Sequence, residues 1–140
     1  YLKKWKTKKY SQYPILYLAF HGKKNGLLIE DKLITLEELG ELLKGKCKNR
    51  IIVFASCSTV SVDKKTLQNF MEKTQALAIC GYKLIVQWIS STAFELMLLS
   101  LMQDNVFDGR GIEAIKNKIT RVSRMFKELD FLMLTKKDIL

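Results

Sequence analysis

A histidine and a cysteine, two residue types suited to proton transfer and nucleophilic attack, each follow an apolar run in this sequence. His21 comes directly after residues 13–20 (YPILYLAF), and Cys57 follows residues 50–55 (RIIVFA). Apolar runs without polar alternation are typical of strands buried on both faces of a parallel sheet. Because ligands bind beyond the carboxyl ends of such strands, the sequence predicts that His21 and Cys57 lie side by side there.

The two side chains have complementary chemistry. A thiol attacks a carbonyl carbon well as a thiolate, or when a base removes its proton during the attack. An imidazole titrates near neutral pH, so His21 can take that proton and later give it to the leaving amine. Gly22 has no side chain, so its N–H can join the N–H of Cys57 in an oxyanion hole. Each residue alone also fits an ordinary structural role, and only the joint placement points to a catalytic dyad.

The segment between the two residues predicts a hairpin and a helix. After a loop at residues 21–26, we expect a short hairpin over residues 27–34. A helix should then begin at Thr35, whose hydroxyl forms a capping box with Glu38. Asp63 can cap the next helix, whose inward face is marked by Leu67, Phe70, Met71 and Leu77.

The second half of the chain continues the alternation of strands and helices. Residues 76–80 predict a third strand, and residues 83–88 predict its continuation or a separate strand. Ser91 or Thr92 would cap an apolar helix over residues 93–102, and Glu95 would complete a capping box with Thr92. A turn at residues 108–111 precedes a long helix whose apolar side runs from Ile112 to Leu129, and residues 131–134 fit a last strand or a helix end.

Strands alternating with helices indicate βα units around a parallel sheet. Right-handed crossovers place helices on both of its faces. The predicted fold class is therefore α/β, with three layers and a mostly parallel central sheet. At 140 residues we expect one domain, residues 13–140, preceded by a basic segment, residues 1–12, that ends an upstream helix or linker.

The charge of the chain is concentrated near its start. The net charge is +10, and five lysines lie within the first ten residues, namely Lys3, Lys4, Lys6, Lys8 and Lys9. With Trp5 and Tyr10 interleaved, this segment could contact phosphates or stack on bases. We favour a solvated helix or a frayed arm, because charge alone does not make a site. We therefore expect no nucleic-acid partner.

The cysteines and the hydropathy of the sequence indicate the cellular setting of the protein. Three cysteines at irregular spacing argue against a disulfide framework and predict a reducing, cytoplasmic setting. Cys80 fits a small buried filler, whereas the lysines beside Cys47 would lower its pKa. With one histidine and no CxxC pair, we expect no metal and no cofactor. The apolar stretches are too short to cross a membrane, and Glu95 interrupts the best of them.

The motifs around the dyad resemble the caspase-like clan of cysteine peptidases, and within it they look most like CHAT domains. The matching features are strand-His21-Gly22 and the strand followed by residues 55–59 (ASCST). Residues 76–88 are similar to the strand and pocket segment that follow the catalytic cysteine of that family. Residues 108–115 (DGRGIEAI) look like its G-x-x-x-x-E-A element, so the resemblance covers residues 13–122.

The resemblance implies a caspase-like fold and a thiol endopeptidase with His21 as general base and Cys57 as nucleophile. It implies an oxyanion hole made by Gly22 and Cys57, a protein or peptide substrate, and a regulatory partner domain or protein. The pocket for the residue before the cut is implied to lie at Gln87, Trp88 and Ser90, although Trp88 fits a core position equally well. The family carries strands upstream of the histidine strand, which we expect to be removed, to lie outside this sequence or to be absent from a reduced domain.

Two other functions fit the sequence. The first is a catalytically inactive caspase-fold module that binds other proteins, which the short N-terminal side favours and the retained dyad disfavours. The second, ranked third overall, is a nucleic-acid-binding α/β domain that uses the arm at residues 3–9.

Overall fold

Seven strands and six α-helices follow one another in residues 1–139, the part of the chain that the computed structural model describes. Short 3₁₀ turns lie at Lys8–Tyr10 and Lys127–Leu129. The elements are α1 (Leu2–Trp5), β1 (Ile15–Leu18), β2 (His21–Lys23), β3 (Gly26–Ile29), β4 (Lys32–Thr35), α2 (Leu36–Leu42), β5 (Ile51–Phe54), α3 (Lys64–Thr74), β6 (Ala78–Tyr82), α4 (Trp88–Met102), α5 (Gly109–Ser123), β7 (Phe131–Thr135) and α6 (Lys136–Ile139).

The central sheet has four strands in the order β1-β5-β6-β7. The first three are parallel, and β7 pairs antiparallel with β6. All four residues of β5 are buried, as expected for a central strand covered on both faces. The predicted α/β class with a mostly parallel sheet is confirmed, and residues 131–134 belong to a strand.

Helices cover both faces of this sheet, so the fold has three layers. On one face, Ile52 and Phe54 pack with apolar residues of α2 and α3. On the other, Ile51 and Val53 pack with apolar residues of α4 and α5. The two cores meet only through the sheet, which is why β5 reads as an uninterrupted apolar run.

The predicted starts of two helices are confirmed in atomic detail. The Thr35 hydroxyl accepts from the Glu38 amide at 3.1 Å, and the Glu38 carboxylate accepts from the Thr35 amide at 2.8 Å. The Asp63 carboxylate accepts from the Thr66 amide at 2.8 Å at the start of α3. These bonds satisfy amides that have no partner inside the helix. Helix α3 ends at Thr74, however, so Leu77 lies beyond it.

The prediction for the segment before α4 was wrong. Residues 83–88 form neither a continuation of β6 nor a separate strand, and α4 begins at Trp88 rather than at residue 93. The residue before the helix is Gln87, whose side chain makes no capping bond. Ser91 and Thr92 therefore lie inside the first turns, where both hydroxyls donate to the Trp88 carbonyl. A helix start without a side-chain cap leaves no signal in the sequence.

Four further boundaries differ from the sequence prediction. Residues 21–23 are strand β2 instead of loop, and β6 runs on through Gly81 to Tyr82. Helix α5 starts at Gly109, because the Asp108 carboxylate accepts from the amides two and three residues later at 2.9 and 2.7 Å. The same helix ends at Ser123, well before residue 129.

Glu95 fastens α4 to the sheet, instead of forming the capping box that the sequence suggested with Thr92. Its carboxylate accepts hydrogen bonds from the phenols of Tyr17 on β1 and Tyr82 on β6, the latter at 2.8 Å. Tyr82 is 1% exposed. Burial first, and the Glu95 carboxylate second, raise the pKa of both phenols well above the usual value.

The hydrogen bonds of Glu95 with Tyr17 and Tyr82 predict that the protein loses stability at alkaline pH. Above pH about 10 the Tyr82 phenol loses its proton in the unfolded chain but keeps it in the folded state. The contribution of this buried phenol to the free energy of unfolding is therefore present below pH about 10 and is lost as pH rises further. We expect urea unfolding to show a smaller loss of stability between pH 9 and pH 11 in Tyr82→Phe than in the wild type. Tyr13→Phe, at an exposed tyrosine, is the control and should behave like the wild type.

Candidate active site

His21 and Cys57 lie beyond the carboxyl ends of two adjacent parallel strands. Leu18 at the end of β1 pairs in register with Phe54 at the end of β5, and each reactive residue follows three positions later. The exposed His21 opens β2, while the half-buried Cys57 sits in the turn after β5, residues 56–61. The two segments therefore meet at one edge of the sheet, as expected for neighbouring parallel strands.

Gly22 brings β2 into direct backbone contact with Cys57. A Cβ atom at Gly22 would lie 2.8 Å from the Cys57 nitrogen, 2.7 Å from the Thr59 hydroxyl, and closer still to the Cys57 carbonyl oxygen. Real side chains do not approach so closely, so glycine is required here for steric reasons. The residue after the histidine is thus pressed against the residue that carries the thiol.

A small antiparallel sheet of β2, β3 and β4 holds the histidine segment in place. His21 pairs with Leu28, and Gly22 pairs with Leu27, whose side chain is 1% exposed in the core. The carbonyl of Asn25 accepts from the Leu36 amide at 3.0 Å, which ties the turn of this sheet to the first residue of α2. His21 therefore stands on an anchored strand instead of the loop that the sequence predicted.

Thr59 links the cysteine turn to this small sheet. Its side chain is fully buried, and its hydroxyl donates to the Gly26 carbonyl on β3 at 3.1 Å. The same hydroxyl shares a 2.8 Å bond with Ser56, which is also buried. A buried hydroxyl that lost these partners would be costly. Thr59 is a positioning residue that sequence reasoning missed, because it treated residues 56–59 only as a polar loop.

The backbone of the cysteine turn has an unusual conformation. Ser58 has φ of 55°, the left-handed region that side chains disfavour, and its amide donates to the Leu84 carbonyl at 3.1 Å. Within residues 1–139, the Cys57 amide donates to no backbone or side-chain acceptor. The Cys57 N–H therefore has no hydrogen-bond partner within the described residues, and it lies against the Gly22 backbone.

The three cysteines differ in their access to solvent. Cys47 and Cys80 are 0% and 1% exposed, whereas Cys57 is half-buried at the surface. Burial raises the pKa of Cys47 to about 11 despite the opposing charge of Arg50, so the prediction of a lowered pKa there was wrong. Burial also raises the pKa of Cys80, which is the buried filler that the sequence suggested. Of the three thiols, Cys57 is the one a substrate can reach.

An open cleft of about 530 Å³ lies beside the imidazole. Among its lining residues, the aromatic ring of Phe20 and the carboxylate of Glu30 were not expected from the sequence. Phe20 directly precedes His21, and Glu30 sits in the turn after β3 with φ of 56°. The cleft is lined by Ala19, Phe20, His21, Leu28, Glu30 and Ala55.

The predicted substrate wall at Gln87, Trp88 and Ser90 lies at the start of α4. Trp88 is 84% exposed, which rules out the core position that the sequence left open for it. The segment is connected to the cysteine turn through Leu84, whose carbonyl accepts from Ser58. Within residues 1–139, no hydrogen bond joins Gln87, Trp88 or Ser90 to Cys57 itself.

No group of three or more metal-binding side chains gathers anywhere in the described residues 1–139. In the same part of the chain, no helix has the length and apolar character needed to span a membrane.

A model of a family described as of unknown function, DUF6642, matches residues 2–134, which is nearly the whole chain. No match was found among curated proteins.

The close approach at Gly22 gives a direct prediction. Gly22→Ala should lower the free energy of unfolding by about 3 kcal/mol or more, or displace the cysteine turn, because the new methyl group overlaps the Cys57 backbone. Gly109→Ala is the matched control, since a Cβ there meets nothing within 4 Å, and it should unfold like the wild type or slightly later. Urea unfolding of the three proteins tests the prediction, and equal stability of Gly22→Ala and the wild type would contradict it.

Proposed function

We propose that this chain, which belongs to the family DUF6642, is a cysteine endopeptidase with a His21–Cys57 dyad. The observation that carries the proposal is the contact between the Gly22 backbone and Cys57, which sets an exposed imidazole and an accessible thiol on touching segments. The resemblance to CHAT domains, which rests on the same residues, supports it. A reducing, cytoplasmic setting is part of the proposal, because it keeps the thiol free.

The reaction needs only these two side chains and water. The imidazole of His21 takes the thiol proton while the Cys57 sulfur attacks the peptide carbonyl carbon. As the carbon–nitrogen bond breaks, the imidazolium gives its proton to the departing amine, which leaves a thioester on Cys57. Water, deprotonated by His21, then attacks the thioester and releases the carboxylic acid and the thiol.

The oxyanion formed in each step requires hydrogen-bond donors. The unpartnered amide of Cys57 is one such donor, and the Gly22 backbone packed against it supplies the second. Donors held in place before the reaction stabilise developing charge without reorganising. The left-handed conformation of Ser58 and the Thr59 hydroxyl bonds fix this turn in advance.

The cleft beside His21 is suited to an extended peptide. Its volume of about 530 Å³ lies within the usual range for ligand sites, and the exposed ring of Phe20 offers an apolar surface for a substrate side chain. Cys57, Gln87, Trp88 and Ser90 do not line this cleft. In this proposal the substrate extends from the cleft across Cys57 to Gln87, Trp88 and Ser90, and a partner domain or protein controls access.

A second candidate function is supported by the outer face of α4 and the loop before it. Ile85, Trp88, Ile89 and Leu96 are 84%, 84%, 82% and 68% exposed. Contiguous apolar surface of this kind marks protein interaction sites. A catalytically inactive module that binds another protein through this face is therefore the alternative to a peptidase.

Cleavage of a peptide mixture, mapped by mass spectrometry, separates the two functions. We expect the wild type to cleave, Cys57→Ala to be inactive, and His21→Ala to lose roughly 10²–10⁴-fold in kcat/KM. Ser100→Ala, on the exposed side of α4, is the control and should retain full activity. Cleavage that survives in Cys57→Ala would refute the proposal, and a folded wild type that cleaves nothing would favour the interaction module.

A further inference from the structure

The edge of the sheet opposite the dyad carries a surface rich in lysine. Two segments that are far apart in sequence meet there, residues 3–9 before β1 and residues 44–48 before β5. Both precede the amino ends of their strands, whereas His21 and Cys57 follow the carboxyl ends. We call this the basic surface; it comprises Lys3, Lys4, Lys6, Lys8, Lys9, Lys44, Lys46 and Lys48.

Arg50 holds the two segments together. Its side chain is buried, and its guanidinium donates to the carbonyls of Trp5 at 2.6 Å and Thr7 at 3.1 Å. The same guanidinium lies 4.4 Å from the centre of the Trp5 ring, a cation–π contact. Lys6 adds a bond of 2.9 Å to the Leu42 carbonyl of α2. The N-terminal lysines are thus part of the folded body, contrary to the frayed arm that we considered from the sequence.

Few acidic groups compensate the charge of the basic surface, and Glu41, which is close enough to interact with Lys44, is ion-paired with Lys73. The sequence has no acidic residue between positions 1 and 29 or between 42 and 62. The ion pairs found within residues 1–139 involve Lys73, Lys116 and Lys118, none of which belongs to this surface. Such a concentration of positive charge attracts polyanions.

A cleft of about 550 Å³ opens beside the basic surface. Asn49, next to Lys48, lines it, and so does Ser11, two positions after Lys9. Amide side chains both donate and accept hydrogen bonds, which matches the edges of nucleobases. Four residues with amide side chains line the cleft, namely Gln12, Asn49, Gln103 and Asn105. The amides of Gln103 and Asn105 also bond within the protein, to the Leu99 carbonyl and to Lys118, whereas those of Gln12 and Asn49 have no hydrogen bond within residues 1–139.

An aromatic side chain stands at the same place. Tyr13 is 57% exposed, and its ring lies 6.1 Å from that of Tyr10. Its carbonyl accepts from the Trp5 indole at 2.9 Å, so the backbone beneath the ring is fixed. An exposed ring on a fixed backbone is suited to stacking against an unpaired base.

We propose that the basic surface and its amide-lined cleft bind single-stranded nucleic acid. The lysines contact phosphates, Tyr13 stacks on a base, and the amides pair with base edges. The amides favour nucleic acid over an anionic lipid surface, whose headgroups require only the charge. The site lies at the amino ends of the strands and the dyad at their carboxyl ends. A test of nucleic-acid binding is therefore independent of the proposed peptidase activity.

Fluorescence anisotropy with a labelled single-stranded RNA of mixed sequence tests the proposal. The variant Lys44→Gln/Lys46→Gln/Lys48→Gln should bind about tenfold more weakly or worse, and the slope of log affinity against log salt should fall by about 2. The control Lys64→Gln/Lys65→Gln/Lys127→Gln removes the same charge from exposed positions elsewhere and should bind within about twofold of the wild type. Tyr13→Ala should weaken binding about tenfold and leave the salt slope unchanged.

Three results would overturn the proposal. They are equal weakening by both triple variants, no binding of RNA by the wild type at low salt, and binding of phosphatidylserine vesicles in place of RNA with the same dependence on residues 44–48. Circular dichroism of each variant shows that it is folded before its affinity is compared.

Discussion

The contact between Gly22 and Cys57 is the constraint on which the rest of the candidate site depends. Without a side chain at Gly22, strand β2 can lie against the cysteine turn, and every other feature of the site serves to keep it there. The small antiparallel sheet fixes β2, and the buried Thr59 hydroxyl joins that sheet to the turn. A larger residue at position 22 would overlap the Cys57 backbone and push β2 away from the cysteine turn.

Because β1 and β5 are parallel, the residues that precede them and the residues that follow them lie at opposite ends of the strands. The segments after β1 and β5 carry His21 and Cys57, while the segments before these strands carry lysines together with Gln12 and Asn49. The buried Arg50 joins the segments that precede β1 and β5, and the buried Thr59 joins the segments that follow them. Glu95 joins α4 to β1 and β6 through hydrogen bonds with Tyr17 and Tyr82. The sheet and α4 therefore form a rigid base for the candidate active site and for the basic surface.

The sequence predicted what depends on local pattern and missed what depends on tertiary contacts. Strand β5 and the caps at Thr35 and Asp63 follow from neighbouring residues, so they were predicted correctly. Strand β1 was also predicted, but its predicted burial on both faces was wrong, because it lies at the edge of the sheet and Tyr17 is 39% exposed. The start of α4 was missed, because Gln87 provides no capping bond. Strand order predicted that the segments of His21 and Cys57 follow neighbouring parallel strands. The strand that carries His21, the Thr59 link and the joining of the two lysine segments by Arg50 depend on residues distant in sequence, where periodicity carries no information.

The rate at which a small electrophile alkylates Cys57, measured against pH and mapped by mass spectrometry, tests the catalytic dyad most directly. If His21 activates the thiol, the wild type should react well below the pH at which an ordinary cysteine ionises, about 8.5. His21→Ala should then react only as that ordinary thiol does, while the buried Cys47 and Cys80 stay unmodified in both proteins. Identical pH profiles for the wild type and His21→Ala would contradict the account.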